Sequence, residues 1–308
     1  MAMNRREFLK LGACGCFASS LSNLDLSVYS EAFAEEALDN LKIVEHTLKI
    51  GATKPFTAVH ISDTHLTFAD ERETERKQKL AQDRARYFNK AEINLRAAVS
   101  YAKQKDALLL HTGDMIDFLS EKNFEFVSAF YQESEMVPHF VSSGNHEFSH
   151  YLGEAKEDEA YKLQSFDRVQ KAFPNDLRFC SRIVNGINFV AFDDVYYYVA
   201  DNIVELFQKE IDKGLPIVTM CHVPFYTPEL YRFMIEDRKE RISYTMGTPD
   251  DKNENTAKFL KWLKEQPLMK AHLCGHLHVN HVDQFSEHAK QYVVGGNFKG
   301  DVFVFHFE

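Results

Sequence analysis

The stretch ALLLHTGDMID, residues 107–117, joins a run of apolar residues to a short loop that carries two carboxylates. Its first four residues are apolar without alternation, which predicts a short strand buried on both faces. Asp114 and Asp117 follow this strand closely. In layered α/β folds, functional sites form at the carboxyl ends of strands. The stretch therefore predicts a buried strand and a candidate site together.

Polar residues follow four other predicted strands in the same way. In chain order these residues are Asp63 and His65, Asn145 and His146, His222, and finally His276 and His278. Taken singly, each has an ordinary explanation as a turn, a cap or a loop residue. Five strand ends that carry Asp, Asn and His together indicate a site for divalent metal ions.

The last of these segments, CGHLHVN at residues 274–280, places two histidines two residues apart. If the chain is extended there, both imidazoles point to the same side, because side chains alternate along a strand. An isolated H-x-H pattern is equally compatible with a polar loop, so its meaning depends on the other strand ends.

The pattern of apolar residues predicts a single layered α/β domain over residues 35–308. Strands are predicted at residues 41–50, 56–62, 107–110, 137–141, 179–184, 187–192, 217–220, 292–294 and 302–307, and the run KAHL at residues 270–273 is predicted to finish another. Helices are predicted at residues 88–103, 204–213 and 256–264, and another after Ser120 as its N-cap. Asn185 and Gly186 predict a tight hairpin turn, while the charged segment 68–86 predicts a solvated loop or helix.

Charge and hydropathy exclude two classes of partner. The 308 residues include 36 basic and 46 acidic side chains, a net charge of −10. This balance disfavours nonspecific binding to nucleic acids and to anionic membranes. No apolar stretch reaches the ~18 residues of a conventional membrane span. A locally positive pocket remains compatible with the acidic chain.

Residues 1–34 resemble a twin-arginine signal peptide. Arg5 and Arg6 precede a mildly apolar run, and an A-x-A cleavage pattern ends at Ala34. The resemblance implies contact with the twin-arginine translocase and export to the periplasm or the cell surface. A basic N-terminal helix and lipidation at Cys14 are the alternatives. The three cysteines beyond residue 34 predict buried apolar positions and no disulfide framework: Cys180, Cys221 and Cys274.

The motifs D-x-H, G-D-x-x-D, G-N-H-E, H and G-H-x-H, in this order, resemble those of the calcineurin-like metallophosphoesterase superfamily. They span Asp63 to His278, and all five are intact. The resemblance implies a layered metallophosphoesterase fold, a central β-sandwich flanked by helices in an αββα-like arrangement. The segments ISDTHL and AFDD are similar to the bacterial class III cyclic-nucleotide phosphodiesterase branch.

The resemblance also implies roles for individual residues. Two divalent ions, of Mn, Fe or Zn, would be held by two sets of side chains that share Asp114 as a bridge. One set is Asp63, His65 and His278, and the other is Asn145, His222 and His276. His146 would protonate the leaving oxygen, with orientation of a ligand as its alternative role. Asp117 would orient a ligand histidine, and its presence where purple acid phosphatases place a tyrosine predicts no tyrosine–iron site.

The implied activity is hydrolysis of phosphomonoesters or phosphodiesters by metal-activated hydroxide that attacks phosphorus. Nucleotides and cyclic nucleotides are candidate small substrates. Aromatic residues that could line a substrate pocket are Tyr196, Tyr197 and Tyr198, together with segments 148–161 and 227–251. Two alternatives stay open: a metal-binding scaffold without catalysis, and a metal hydrolase whose substrate is not a phosphoester.

Overall fold

A computed structural model describes residues 37–134, 137–149, 159–249 and 253–308. The predicted signal peptide lies outside these residues. The strands are β1 Lys42–Leu48, β2 Phe56–Ile61, β3 Leu108–Thr112, β4 His139–Ser142, β5 Phe179–Val184, β6 Ile187–Phe192, β7 Ile217–Met220, β8 Met269–Cys274, β9 His281–Gln284, β10 Lys290–Val293 and β11 Asp301–Phe307. The α-helices are α1 Glu75–Tyr87, α2 Ala91–Gln104, α3 Glu121–Glu133, α4 Glu159–Gln170, α5 Ile203–Ile211, α6 Pro228–Arg232 and α7 Glu254–Lys264.

The strands form two sheets. One has five strands in the order β1-β11-β2-β3-β4, and the other has six in the order β5-β6-β7-β8-β10-β9. Strands β2, β3 and β4 run parallel in the first sheet, and β6, β7, β8 and β10 run parallel in the second. Parallel strands place their carboxyl ends at one edge of a sheet, so each sheet gathers its polar strand ends along one edge.

The two sheets pack face to face, with helices on both outer faces. Phe140 of the first sheet and Phe189 of the second belong to one buried cluster between the sheets. Helices α2, α3 and α4 cover the outer face of the first sheet through side chains such as Leu95 and Val127. Helices α5 and α7 cover the second sheet, with Phe207 packed against its strands. This arrangement confirms the predicted helix-flanked β-sandwich.

Local signals placed several elements correctly. The β5–β6 turn has Asn185 at φ 46° and Gly186 at φ 83°, the left-handed backbone that such a hairpin requires. Ser120 caps α3, its hydroxyl oxygen accepting a hydrogen bond of 3.0 Å from the Asn123 N–H. None of the helices in the described part of the chain is long and apolar enough to cross a membrane.

The structure decides one open alternative and corrects one expectation. Strand β8 ends at Cys274, and the H-x-H segment that follows is a loop in which His276 has φ 68° and His278 has φ 54°. This left-handed backbone does not alternate side chains as a strand does. Cys221 and Cys274 are buried as predicted, whereas Cys180 on β5 is only partly buried. Strand β9 and helices α4 and α6 were not predicted, since none carries a strong apolar period.

Candidate metal centre

The polar strand ends of both sheets meet at one place. The ring of His222, which follows β7, donates from Nδ1 to the carbonyl of Thr112 at the end of β3, at 2.7 Å. The N–H of His276, after β8, donates to Oδ2 of Asp63, after β2, at 2.9 Å. Both bonds cross from the second sheet to the first, so they join the two edges into a single site.

Three of the predicted ligands form a first ligand cluster: Asp63, His65 and His278. Nε2 of His278 lies 3.1 Å from Oδ1 of Asp63 and 3.0 Å from Nε2 of His65. Asp63 and His65 are fully buried, while His278 is partly exposed. The cluster therefore opens toward solvent on the side of His278.

Three others form a second ligand cluster: Asp114, His222 and His276. Nε2 of His222 lies 3.1 Å from Oδ2 of Asp114 and 3.1 Å from Nδ1 of His276. The same Oδ2 lies 3.8 Å from Nε2 of His65 in the first cluster. Asp114 thus stands between the two clusters, at the position that the motif assigns to a bridging carboxylate.

The donor set fits two cations. A carbonyl only accepts hydrogen bonds, so Nδ1 of His222 carries a proton and Nε2 is the atom whose lone pair would bind a cation. That lone pair faces Nδ1 of His276, and a cation between them would satisfy both nitrogens. Oδ1 of Asn145 is a candidate further ligand atom, because it is buried and accepts no hydrogen bond from the residues that the structure describes.

The backbone at the site is strained in a consistent way. Five of the seven predicted ligands have a positive φ, between 52° and 68°: Asp63, His65, Asp114, His276 and His278. Such residues cost about 1–3 kcal/mol each and cluster at functional sites. Glycine would relieve the strain but would remove the ligand. Gly144 is required for a different reason: its backbone lies close to the side chain of Asp114, and an added Cβ would lie 2.9 Å from Cγ of that residue.

Glu147 holds two of the polar loops together, a role that the sequence analysis did not assign. Its carboxylate accepts hydrogen bonds from the N–H groups of Gly144, Asp114 and Met115 at 2.6, 2.8 and 2.7 Å. Burial and the nearby charge of Asp114 raise the pKa of Glu147 to about 7. The fourth letter of the G-N-H-E motif was the available signal for this residue.

Asp117 contacts two histidines and an arginine. Its Oδ1 lies 3.0 Å from Nδ1 of His65, and Arg84 of α1 donates to both carboxylate oxygens. Burial opposes ionisation, but hydrogen bonds from His146, His65 and Arg84 hold the pKa of Asp117 well below its usual range. Arg84 was not identified from the sequence, because nothing distinguishes it from the other charged residues of segment 68–86.

His146 lies beside both clusters. Its N–H donates to Oδ1 of Asp114 at 2.8 Å, and its Nδ1 donates to the carbonyl of Asp117 at 2.9 Å. Burial disfavours the imidazolium, but the charges of Asp114 and Asp117 outweigh it and raise the pKa of His146. The side chain keeps 14% of its surface exposed, so its other nitrogen remains within reach of a bound molecule.

The three consecutive tyrosines have different surroundings. The hydroxyl of Tyr197 lies 2.9 Å from Nε2 of His276. Tyr196 is buried, with its hydroxyl 3.5 Å from the carbonyl of Phe148, and the hydroxyl of Tyr198 donates to Glu159. Of the other predicted pocket segments, residues 150–158 and 250–251 lie outside the described residues.

A two-sheet sandwich that collects carboxylates and imidazoles at one edge, around a shared aspartate, defines a metal-dependent phosphoester hydrolase. The family model described as calcineurin-like phosphoesterase matches residues 56–280, so the chain belongs to that family. No curated protein sequence matches the chain.

Two solved structures share this fold at low sequence identity. A dimetal phosphatase from Danio rerio is 14% identical, with 81% of this chain and 91% of that chain aligned and a TM-score of 0.50. A purple acid phosphatase from yellow lupin (Lupinus luteus) seeds is 13% identical, with 80% of this chain and 44% of that chain aligned and a TM-score of 0.50. This chain thus spans less than half of the lupin enzyme.

Proposed function

We propose that the chain is a dinuclear metallohydrolase that cleaves small phosphomonoesters or phosphodiesters. The observation that carries the proposal is the position of Asp114, whose Oδ2 lies 3.1 Å from His222 and 3.8 Å from His65. One carboxylate oxygen thus serves both ligand clusters. Asp63, His65 and His278 would hold one ion, and Asn145, His222 and His276 the other. The mixed oxygen and nitrogen donors suit Mn, Fe or Zn.

Two such ions would supply Lewis acidity toward the phosphoryl oxygens and a hydroxide nucleophile at neutral pH. The two divalent cations would bring more positive charge than Asp63 and Asp114 bring negative charge. The site would therefore attract an anionic substrate. Because Nδ1 of His146 donates to the carbonyl of Asp117, the opposite nitrogen is the one that would carry a transferable proton. From there His146 can deliver the proton to the leaving oxygen. Asp117 orients this ring and that of His65.

The test is a metal-supplemented screen of the protein lacking residues 1–34. Substrates are mono- and bis-p-nitrophenyl phosphate, nucleotides, cyclic nucleotides, sugar phosphates and glycerophosphodiesters. Asp114→Asn is the matched variant, because it removes the shared charge at nearly constant volume. We expect phosphoester cleavage that needs added metal and is lost in the variant. Two bound ions without any phosphoester cleavage would favour the scaffold alternative, and cleavage of carboxylic esters alone would favour another hydrolase.

We also propose export by the twin-arginine pathway to the periplasm or the cell surface. The proposal rests on Arg5, Arg6 and the A-x-A pattern that ends at Ala34. The double variant Arg5→Lys/Arg6→Lys keeps the charge and should leave the protein in the cytoplasm on cell fractionation. Equal export of this variant and the wild type would refute the pathway.

A further inference from the structure

The turn at residues 194–197 contacts two neighbouring ligands of the second cluster. The carboxylate of Asp194 accepts hydrogen bonds from the N–H groups of His222 and Val223, at 3.0 and 2.8 Å. Tyr197, at the other end of the turn, reaches Nε2 of His276 with its hydroxyl. The N–H of Tyr197 donates to the carbonyl of Asp194 at 3.0 Å, which closes the turn. One short segment therefore contacts the backbone of one ligand and the ring of the next.

The conformation of this turn is costly for the residues that occupy it. Tyr196 and Tyr197 both have φ 68°, in the left-handed region that residues with bulky side chains rarely adopt. The turn is held from a second side by Lys162, whose Nζ lies 2.6 Å from the carboxylate of Asp193. Strain of this kind persists where the surrounding structure demands it. Its result here is that the Tyr197 hydroxyl is directed at His276.

The contact with Tyr197 occupies Nε2 of His276 and leaves Nδ1 directed at the second cluster. Nδ1 faces His222 at 3.1 Å, on the side of the second cluster, while Nε2 faces Tyr197 at 2.9 Å. If Nε2 carries the proton and donates it to the tyrosine oxygen, Nδ1 presents its lone pair to the cluster. The same bond fixes the plane of the ring.

The two clusters differ in what orients their histidines. In the first cluster, the outward nitrogen of His65 contacts the carboxylate of Asp117. In the second, the outward nitrogens of His222 and His276 contact a carbonyl and a phenol. A carboxylate partner makes an imidazole a stronger ligand than a neutral oxygen does. Both histidines of the second cluster therefore rely on neutral oxygens for their orientation.

We propose that Tyr197 is a positioning residue that holds His276 as an Nδ1 ligand and thereby sets the affinity of the second cation. This role rests on the proposed dinuclear site. It assigns Tyr197 to the metal centre, in place of the substrate pocket that the sequence suggests for it.

The experiment compares Tyr197→Phe with two matched controls, Tyr196→Phe and Tyr198→Phe, each of which loses one hydroxyl from the same segment. Binding of Mn²⁺ is measured by competition with a chelator, and Co²⁺-loaded protein is examined by absorption spectroscopy. We expect the wild type and both controls to bind two ions, and each control to have the same two affinities as the wild type. Tyr197→Phe should keep one affinity and weaken the other about 10- to 100-fold, with a changed Co²⁺ spectrum.

The outcomes separate this role from the proposed function. A wild type that binds fewer than two ions overturns the dinuclear site and the role of Tyr197 with it. A wild type that binds two ions, together with unchanged affinities in Tyr197→Phe, overturns the role alone. Equal weakening of both ions, with a lower urea midpoint for the metal-free variant, would show general destabilisation and would also overturn the role.

Discussion

Arg84 of helix α1 donates from Nε to Oδ2 of Asp117 at 2.7 Å and from Nη2 to Oδ1 at 2.5 Å. The same Oδ1 lies 3.0 Å from Nδ1 of His65 and 3.3 Å from Nδ1 of His146. The guanidinium also lies 4.8 Å from the ring of Phe88, on which His65 stacks. A helix of the charged segment thus fixes the carboxylate that orients a proposed ligand and a proposed acid.

Replacement of Arg84 should therefore reduce turnover, because Arg84 holds Asp117 in place and does not itself contact the substrate. Arg84→Met keeps the aliphatic stem and removes both hydrogen bonds to a buried carboxylate. We expect a fall in kcat of about 10- to 100-fold and a loss of about 1–3 kcal/mol in the free energy of unfolding. Steady-state kinetics and urea unfolding measure the two effects.

Arg86→Met is the matched control for this change. Arg86 lies on the same helix, and its side chain is 82% exposed. Its Nη1 lies 3.3 Å from Oδ1 of Asp83, in an ion pair on the surface. It should behave as the wild type, because exposed ion pairs contribute little. Equal kcat values for the Arg84 and Arg86 variants would show that Arg84 does not support turnover through Asp117.

His146→Asn tests the proposed proton donor. The variant keeps a hydrogen-bonding side chain but has no group that titrates near neutral pH. We expect turnover to fall by about 10²–10⁴-fold while elemental analysis still finds the metal content of the wild type. Loss of metal in this variant would instead indicate that His146 is a metal ligand. Its ring lies close enough to His65 and Asp114 for that role.

Glu147→Gln tests the carboxylate that joins the polar loops. The glutamate accepts N–H groups with both oxygens, Oε1 from Met115 and Oε2 from Gly144 and Asp114. A glutamine offers one accepting oxygen and turns N–H donors toward the other backbone donors. We expect a loss of about 1–3 kcal/mol in unfolding free energy and weaker binding of both metals. Unfolding curves and metal titrations identical to the wild type would contradict this role.

His272 predicts a specific dependence of stability on pH. It is buried, stacks on Phe225 at 3.8 Å and contacts Thr219 through Nδ1 at 2.9 Å. Burial lowers its pKa from 6.5 to about 3. Below pH 6.5 the unfolded chain takes up a proton that the folded ring refuses. Falling pH therefore destabilises the fold through this group until about pH 3.

The variant His272→Phe keeps an aromatic ring and removes this titration. Its unfolding free energy should fall less steeply between roughly pH 6 and pH 4 than that of the wild type, by about 1.4 kcal/mol per pH unit. Urea unfolding in the presence of a chelator, at several pH values, gives both slopes. Equal slopes for the variant and the wild type would mean that His272 has the same pKa in the folded and the unfolded protein, and would contradict the prediction.

Local chemistry made several features predictable. The four apolar residues at 107–110 predicted a buried strand, and β3 Leu108–Thr112 is buried between β2 and β4 in the first sheet. The turn at Asn185 and the cap at Ser120 followed from backbone and hydrogen-bond preferences within a few residues. Such signals are short-range, so they are readable without the fold.

Other features depend on contacts between distant segments. The sequence left open whether the H-x-H segment is extended or a loop; His276 and His278 adopt left-handed backbone and reach different neighbours, His222 and Asp63. Arg84 gains its partner only because α1 packs beside the loop after β3. Nothing in a row of three tyrosines distinguishes the one that contacts His276.

The sequence by itself determined the types and the order of the polar strand ends, since a strand's apolar run and the residues after it are written consecutively in the chain. It also determined the family to which the chain belongs. Only the tertiary structure decided which nitrogen of each histidine faces a neighbouring ligand, and which arginine and which tyrosine support the centre. Those outcomes are set by packing between segments up to 213 residues apart, as between His276 and Asp63, and no local pattern encodes such distances.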